Sequence, residues 1–262
     1  MKSLDGKNIL ITGAAGGLGS EYTRQFLKLG AHLILTDIDE DIIKKTAENI
    51  SKECANAPGE IAGAFGGDIS TVEGCEAVHE RCIEISKDID ILLNNAGIIN
   101  YGCFHEIPPD KCELLMNVNL LAPMRLTHLF LPRMVERKSG HIVFMCSVAG
   151  YIATSFGTSY TTSKFGIRGF GMGLYGELKK LGVAVTNIYP SWVKTQILKS
   201  AEYGDSSGVG KLPDILTEKP EKVIRQAIKG IRKERLHVYP SHFSRTVWYG
   251  TRFWPIISKQ AR

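Results

Sequence analysis

The sequence predicts an α/β protein built on a single doubly wound parallel sheet with helices on both faces. Short apolar runs alternate with segments of helical spacing along almost the whole chain. Those runs are continuously apolar, as in strands covered on both faces. The first run ends in a glycine-rich turn, "TGAAGGLG" at residues 12–19, that leads straight into a helix. Folds of this class receive phosphate at that junction.

"KNILITG" reads as a buried strand ending in glycine. "GLGSEYTRQFLKLG" is a helix by the spacing of Leu18, Tyr22, Phe26 and Leu29, and Gly30 stops it. "AHLILTD" is the second strand, and "DEDIIKKTAENISKEC" a helix with acids in its first turn. "EIAGAFGGD" is the third strand, and "TVEGCEAVHERCIEI" a helix opening at a threonine cap. "IDILLNNAG" is the fourth strand. The long helical stretch "PPDKCELLMNVNLLAPMRLTHLFLPRMVER" should bend or break near Pro123. "GHIVFMCS" is strand five, a helix containing "YTTSKFGIRGF" follows, and "GVAVTNIYP" is strand six. A helix around 220–232 and a short strand in "LHVYP" complete the pattern. Residues 191–218 lack clean periodicity, and so long a loop in a compact domain is usually a substrate lid or a disordered segment. The reading is one domain over 1–262, with a lid at about 191–218 and a basic aromatic segment at about 241–262.

A chain of 262 residues with 44% hydrophobic and 23% charged residues suits one large domain and excludes global disorder. The start, "MKSLDGKNILITG", lacks the apolar run and cleavage site of a secretory leader. No uncharged apolar stretch approaches the ~20 residues of a membrane span, so a cytoplasmic location is expected. Cys54, Cys75, Cys82, Cys103, Cys112 and Cys146 form no CxxC and no zinc-ligand spacing, which implies reduced thiols and no metal. The net charge of +5 is uneven: from Arg225 onward nine Lys and Arg face one acid, Glu234. That asymmetry bears on the partners of the tail, not on the fold.

Gly13, Gly17 and Gly19, with Leu18 among them, would let backbone pass close to a phosphate. The next helix then offers free N–H groups and a positive dipole end. The spacing is not G-x-G-x-x-G, and a plain tight turn is the bland alternative. Position favours a nucleotide, because Asp37 ends the second strand. A carboxylate there accepts from both ribose hydroxyls and repels a 2′-phosphate. Asp37 as a simple turn residue, with Asp39 and Asp41 nearby, is the competing view. No Arg or Lys lies in the turn or directly after Asp37, which favours NAD over NADP.

With "NNAG" at Asn94–Gly97, Asn119 in "NVNLLAP", Ser147 in "MCSVAG" and "YTTSK" at Tyr160–Lys164, the sequence resembles the short-chain dehydrogenase/reductase family. Each motif alone is weak to moderate evidence; five in the right order over nearly the whole chain are very specific. The resemblance implies a Rossmann fold, an NAD(H)-dependent oxidoreductase acting on alcohol or ketone groups, and a homodimer or homotetramer. It implies a catalytic set of Asn119, Ser147, Tyr160 and Lys164. Against the cofactor it places Gly13, Gly17, Leu18, Gly19, Asp37, Asp68, Ile69, Asn95, Ala96 and Gly97, then Tyr160, Lys164, Pro190, Val193 and Thr195. It assigns Asn94 to sheet-bracing bonds. One departure stands out: Ser191 follows Pro190 where the family usually has glycine.

The spacing Tyr-x-x-x-Lys occurs twice, at Tyr160/Lys164 and at Tyr175/Lys179. Residues four apart share a helix face, so spacing does not choose between them. Tyr160 opens the helix after strand five, whose last residue is Ser147, and so lies at the carboxyl edge of the sheet, where such folds bind ligands. Tyr175 lies about 22 Å further along and should pack against a neighbouring helix or subunit. Oxidising an alcohol removes a hydride from carbon and a proton from oxygen, and the proton needs an acceptor. A free tyrosine has a pKa of about 10 and is ~0.1% ionised at neutral pH. Lys164 and a positive nicotinamide ring would stabilise the phenolate; a drop of about 3 units corresponds to about 4 kcal/mol. Ser147 would donate to the substrate oxygen, and Lys164 would also hold the cofactor ribose. By resemblance, Asn119 anchors a proton-relaying water; its bland role is a helix-bend residue bonding backbone. Cys146 reads as a packed thiol.

Three loops should line the substrate pocket. Ile98, Ile99, Tyr101 and Phe104 come from the first, Val148, Tyr151, Ile152 and Phe156 from the second, and Trp192, Ile197, Leu198 and Tyr203 from the lid. They are mostly apolar and include no arginine, which points to a hydrophobic secondary alcohol or ketone. The rival from another class is a nucleotide-sensing or scaffolding protein without turnover. The tail segment "SHFSRTVWYGTRFWP" is amphipathic if helical, with Phe243, Val247 and Trp254 opposite Arg245 and Arg252 and Pro255 as a stop. It suits an anionic membrane surface or a neighbouring subunit, with self-association favoured.

Overall fold

A computed structural model describes residues 3–194, 201–204 and 217–253. All its paired strands are parallel: β1 (Asn8–Thr12), β2 (His32–Asp37), β3 (Glu60–Gly66), β4 (Ile91–Asn94), β5 (Gly140–Met145), β6 (Val183–Ile188) and β7 (His237–Val238). They lie in the order β3-β2-β1-β4-β5-β6-β7. The chain winds outward from β1 to β3, returns to place β4 beside β1, and winds the other way. Crossovers leave β1 and β4 in opposite directions, so a crevice opens beyond their carboxyl ends.

The helices α1 (Gly17–Leu27), α2 (Glu40–Glu53), α3 (Val72–Ile85), α4 (Pro109–Met116), α5 (Ala122–Glu136), α6 (Thr158–Leu178) and α7 (Pro220–Arg232) cover both faces. Successive strand residues point to opposite faces, and the core divides accordingly. Ile9, Ile11, Leu33 and Leu35 pack with Tyr22 and Phe26 of α1 and Ile224 and Ile228 of α7. Leu10, Ile34, Leu92 and Phe144 pack with Val78 of α3, Leu126 and Phe130 of α5 and Leu174 of α6. The predicted helix starts are realised as side-chain caps: Asp39 accepts from the Ile42 N–H and Thr71 from the Gly74 N–H, each at 2.9 Å.

The break expected near Pro123 is a π-helical turn, Asn117–Leu121, between α4 and α5. Pro123 sits in the first turn of α5, where its missing N–H costs nothing. By length and composition alone, the continuous stretch Pro109–Glu136 could cross a membrane. The sequence reading did not anticipate this. Here the stretch packs against the sheet and its neighbouring helices, with Leu115, Leu126, Phe130 and Met134 buried.

The tail segment is helical, as α8 (His242–Phe253). Ser241 caps it, its hydroxyl accepting from the Ser244 N–H at 2.9 Å. Its packed face differs from the expected one, because Ser244 is buried and Trp248 lies against Tyr239, ring centroids 5.4 Å apart. Phe243 leans on Trp192 at 5.1 Å while staying partly exposed. Trp254 and Pro255 lie outside the described residues.

In β5, His141 is fully buried, with Nε2 2.8 Å from the Thr186 hydroxyl, which donates to the Arg235 carbonyl. Burial pushes this imidazole down from 6.5 to about 3. The unfolded chain therefore takes a proton near the ordinary histidine value while the folded chain does not. His141 thus contributes stability that is complete above the unfolded pKa and lost as pH falls toward the folded one. Chemical denaturation at about pH 5 and about pH 7.5 should give a lower unfolding free energy at the acid end. His141→Asn should flatten that slope; an unchanged slope would show that His141 is not the group responsible.

Candidate functional site

The ends of β1 and β4 are stitched together. The Thr12 hydroxyl accepts from the Asn95 and Ala96 N–H groups, both at 3.1 Å. The Asn95 side chain donates to the Thr12 and Gly13 carbonyls at 2.9 and 3.0 Å. Gly13 has a positive φ of 64°, and a Cβ there would lie 2.7 Å from the Ala96 Cα. A Cβ on Gly19 would strike the Gly13 carbonyl oxygen. Only glycine allows these close approaches. The sheet-bracing role expected of Asn94 falls to Asn95. Asn94 is buried, and neither atom of its amide has a partner among the described residues. Its side chain points away from the β1 carbonyls that Asn95 reaches, because adjacent residues alternate in direction.

Above this seam lies a cavity of about 400 Å³. Gly13, Gly17, Leu18, Gly19, Asp37, Asp68, Ile69, Asn95, Ala96 and Gly97, the residues that the resemblance places against a cofactor, all line it. Ile98, assigned to the substrate pocket, lines this one instead. Gly16 starts α1 without a side-chain cap, which leaves the first-turn N–H groups facing an anion-sized space. Asp37 closes the far end; its carboxylate accepts from Ala15 N at 2.9 Å and Ile38 N at 2.8 Å. Each of its oxygens keeps a lone pair for a hydroxyl. Among the described residues, no Lys or Arg lines the cavity. A glycine-walled cradle at a helix start, ending in a carboxylate, fits a dinucleotide.

A second cavity of about 270 Å³ shares Leu18, Asn95 and Gly97 with the first. Ser147, Tyr160, Lys164, Pro190 and Val193 line it. Asn119 lies behind, 2% exposed. Its side chain accepts from Ile98 N and donates to Ile98 O, both at 2.8 Å, and reaches the Ser163 hydroxyl at 3.2 Å. Asn119 thus does what its bland reading said, bracing the loop after β4 from the π-helical turn. A Cβ on Gly97 would lie 3.3 Å from Asn119 Oδ1 and 3.7 Å from Lys164 Nζ, so this glycine keeps the two close. Thr195, and the lid residues Ile197 and Leu198, lie outside the described residues.

Lys164 Nζ donates to the Met145 carbonyl at 2.9 Å and stands 5.5 Å from the centre of the Tyr160 ring. Burial holds this ammonium below the ordinary lysine value. Burial also pushes the Tyr160 phenol up, and a hydrogen bond with Ser147 pulls it only partly back. The two shifts share a cause, because the dry surroundings that bring the groups together penalise both charges. Burial lifts Cys146 to about 11, and its thiol donates to the Lys164 carbonyl at 3.2 Å, so it is a packed thiol. Tyr175 is part of the core edge, with Lys179 Nζ 5.7 Å from its ring centre.

The substrate-side expectation is half met. Ile99, Tyr101, Val148, Ile152 and Trp192 line the second cavity. Phe104 is 62% exposed, and Phe156, at a positive φ of 62°, is 37% exposed. Tyr151 turns away to bond the Tyr239 hydroxyl at 2.7 Å under the Arg168 guanidinium. Tyr203 pairs by its N–H with the Tyr101 carbonyl at 2.8 Å and packs over Gly102. None of these four lines the cavity. The sequence reading missed Thr154 and Ser155, which give it a polar rim, and Thr12, whose place at a strand end before the glycine turn was the available signal.

A sheet whose strand order reverses over a glycine cradle, beside a serine, tyrosine and lysine in one cavity, defines a nucleotide-dependent oxidoreductase class. The chain belongs to the short-chain dehydrogenase/reductase family: the family model described as "short chain dehydrogenase" matches residues 7–205. It is 32% identical to mouse epidermal retinol dehydrogenase 2 over 92% of this chain and 76% of that protein. A short-chain dehydrogenase from Sphingobium yanoikuyae in complex with NADPH superposes with a TM-score of 0.81 at 26% identity, over 98% of this chain and 97% of that one. One from Burkholderia phymatum in complex with NAD gives 0.84 at 23% identity, over 95% and 94%, and shows the shared fold.

Ser191, the departure from the family pattern, ties three segments together. Its hydroxyl donates to Glu218 Oε1 at 2.9 Å and lies 3.3 Å from the Ser241 hydroxyl at the cap of α8. Backbone bonds between Trp192 and Glu218 and between Lys194 and Glu218, at 2.8 and 3.1 Å, close the same junction. Glu218 Oε2 is buried with no partner among the described residues, so Ser191 is its side chain's main support. Ser191→Gly should cost about 2 kcal/mol, lowering Tm on the order of 5 °C. An unchanged Tm in a thermal melt would mean that the serine contributes nothing to this junction.

Proposed function

We propose that this chain is an NAD-dependent dehydrogenase interconverting a hydrophobic secondary alcohol and its ketone, with Tyr160 as the acid/base. The carrying observation is the pair of joined cavities, the glycine cradle on one side and Ser147, Tyr160 and Lys164 on the other. Bound nicotinamide dinucleotide would supply the hydride acceptor or donor. Gly13, Gly17, Leu18 and Gly19 would hold its phosphates, Asp37 a ribose, and Asp68 and Ile69 its adenine. The two carboxylates of the first cavity, with no cation among its described residues, favour NAD over NADP, since an unpaired 2′-phosphate beside Asp37 would be repelled.

In the second cavity Ser147 would donate to the substrate oxygen while Tyr160 accepts its proton. Lys164 spends one N–H on the Met145 carbonyl and keeps two for the ribose side. Asn119 braces Ile98 beside Gly97, and the space between it and Lys164 would be the path for a proton-carrying water. Ile99, Val148, Ile152 and Trp192 give the cavity its apolar walls, and the retinol dehydrogenase relative is named for an apolar alcohol. Thr154 and Ser155 would favour a second polar group at its rim. The apolar groove of Leu121, Met124, Phe170 and Leu174 between α5 and α6 supports self-association as a dimer or tetramer.

NADH production over a panel of secondary alcohols tests the reading. Tyr160→Phe should lower kcat by at least ~10² while leaving NAD binding intact. Dinucleotide binding without turnover on any substrate would favour a sensing role instead. Asp37→Ser should reduce the preference for NAD over NADP by roughly tenfold or more; a wild type that already prefers NADP would refute the role of Asp37. Since burial raises the Tyr160 phenol, its basic form is scarce at neutral pH and grows with pH. Oxidation should therefore speed up as pH rises, and ketone reduction, which needs the phenol, should not. A flat oxidation profile in pre-steady-state measurements would remove Tyr160 as the base.

A further inference from the structure

Off the edge strand β7 lies a pocket of about 340 Å³, formed by the end of α7, the turn that follows it and α8. It shares no lining residue with the two cavities described above. Basic side chains converge on it from three segments: Lys229 and Lys233 from the end of α7, Arg235 from the turn and Arg245 from α8. His237 stands beside them, and among the described residues no Asp or Glu lines the pocket. Trp248 forms an aromatic wall with Tyr239 and Tyr249, centroids 5.4 and 4.6 Å away.

Several arginines elsewhere in the fold sit beside carboxylates. Arg24 pairs with Glu53, Arg81 with Glu40, and Arg133 and Arg137 with Asp88. Around the pocket, Arg245 reaches the Tyr239 carbonyl, at 3.4 Å, and makes no ion pair among the described residues. Lys229, Lys233 and Arg235 make no ion pair among the described residues. The negative end of the α7 dipole accounts for the two lysines. It does not account for Arg245, which another helix brings to the same cavity. Four like charges around one concavity repel one another unless an anion joins them.

We propose that this pocket binds a phosphate group. Arg235 and Arg245 would offer guanidinium forks, Lys229 and Lys233 point charges, and the aromatic wall would shelter the less polar side of the ligand. The phosphate belongs either to a soluble polyphosphate or to an anionic phospholipid headgroup, and Trp and Tyr beside basic residues suit the second as well as the first.

The test uses the full chain saturated with NAD, so that the glycine cradle is filled. Pyrophosphate is titrated by calorimetry, and flotation is run with phosphatidylcholine vesicles with and without phosphatidylinositol phosphate. The variants are Lys233→Glu/Arg235→Glu and, separately, Arg245→Gln, all at exposed side chains, with NADH turnover and Tm as controls. Saturable pyrophosphate binding that weakens at least about tenfold in both variants supports the pocket with a soluble ligand. Flotation that requires phosphatidylinositol phosphate and is lost in both variants supports it with a lipid. No binding in either arm, or binding that both variants retain, overturns the proposal. If the double variant fails to fold, Arg245→Gln decides alone.

Discussion

The contact on which the rest depends is the seam between the ends of β1 and β4. Thr12 takes two N–H groups from the far strand and Asn95 returns two to the near one. That exchange pulls the backbones so close that Gly13 has no room for a Cβ. The reversal of strand order opens a crevice there, and the seam fixes its floor. From that floor the glycine turn faces one way and Gly97 the other, against Asn119 and Lys164. Both cavities hang from one set of short hydrogen bonds, which is why they share walls.

The second constraint is dryness. The Tyr160 phenol is raised and the Lys164 ammonium lowered by the same burial. Each unit of such a shift is about 1.4 kcal/mol against the charged form. A hydrogen bond with Ser147 offsets the penalty on the Tyr160 phenolate only in part. The cost of burying these groups is repaid by position, because Lys164 is held by the Met145 carbonyl and Asn119 by the Ile98 backbone.

Features legible in the sequence were those that depend on local pattern. Continuous apolar runs marked the strands, glycines marked the close approaches, and the place of Tyr160 after strand five separated it from Tyr175. What stayed hidden depends on which residues meet across the fold. Asn94 and Asn95 are identical as letters, and only strand alternation decides which one reaches β1. Phe104, Tyr151, Phe156 and Tyr203 are as apolar or aromatic as the residues that do line the cavity. Tyr151 left it because Tyr239 and Arg168, far along the chain, offered a hydrogen bond and a cation. The packed face of α8 was misjudged for the same reason: Trp248 is held by Tyr239, a partner that helical periodicity within α8 cannot reveal.

The last helix links features that the sequence kept apart. At its start, Ser241 meets Ser191, and Phe243 props Trp192, a wall of the second cavity. Further along, Arg245 and Trp248 face the basic pocket. One short helix thus touches the apolar cavity at one end and the cationic concavity along its side. Moving α8 would disturb Trp192 and the Ser191–Glu218 bond together, since both rest on residues within its first turn or cap. A glycine at position 191 would leave that coupling to Trp192 and Phe243 alone. The serine therefore adds a polar fastening between the tail and the loop beside the site, and it sits there because Glu218 and Ser241 arrive from distant parts of the chain to meet it.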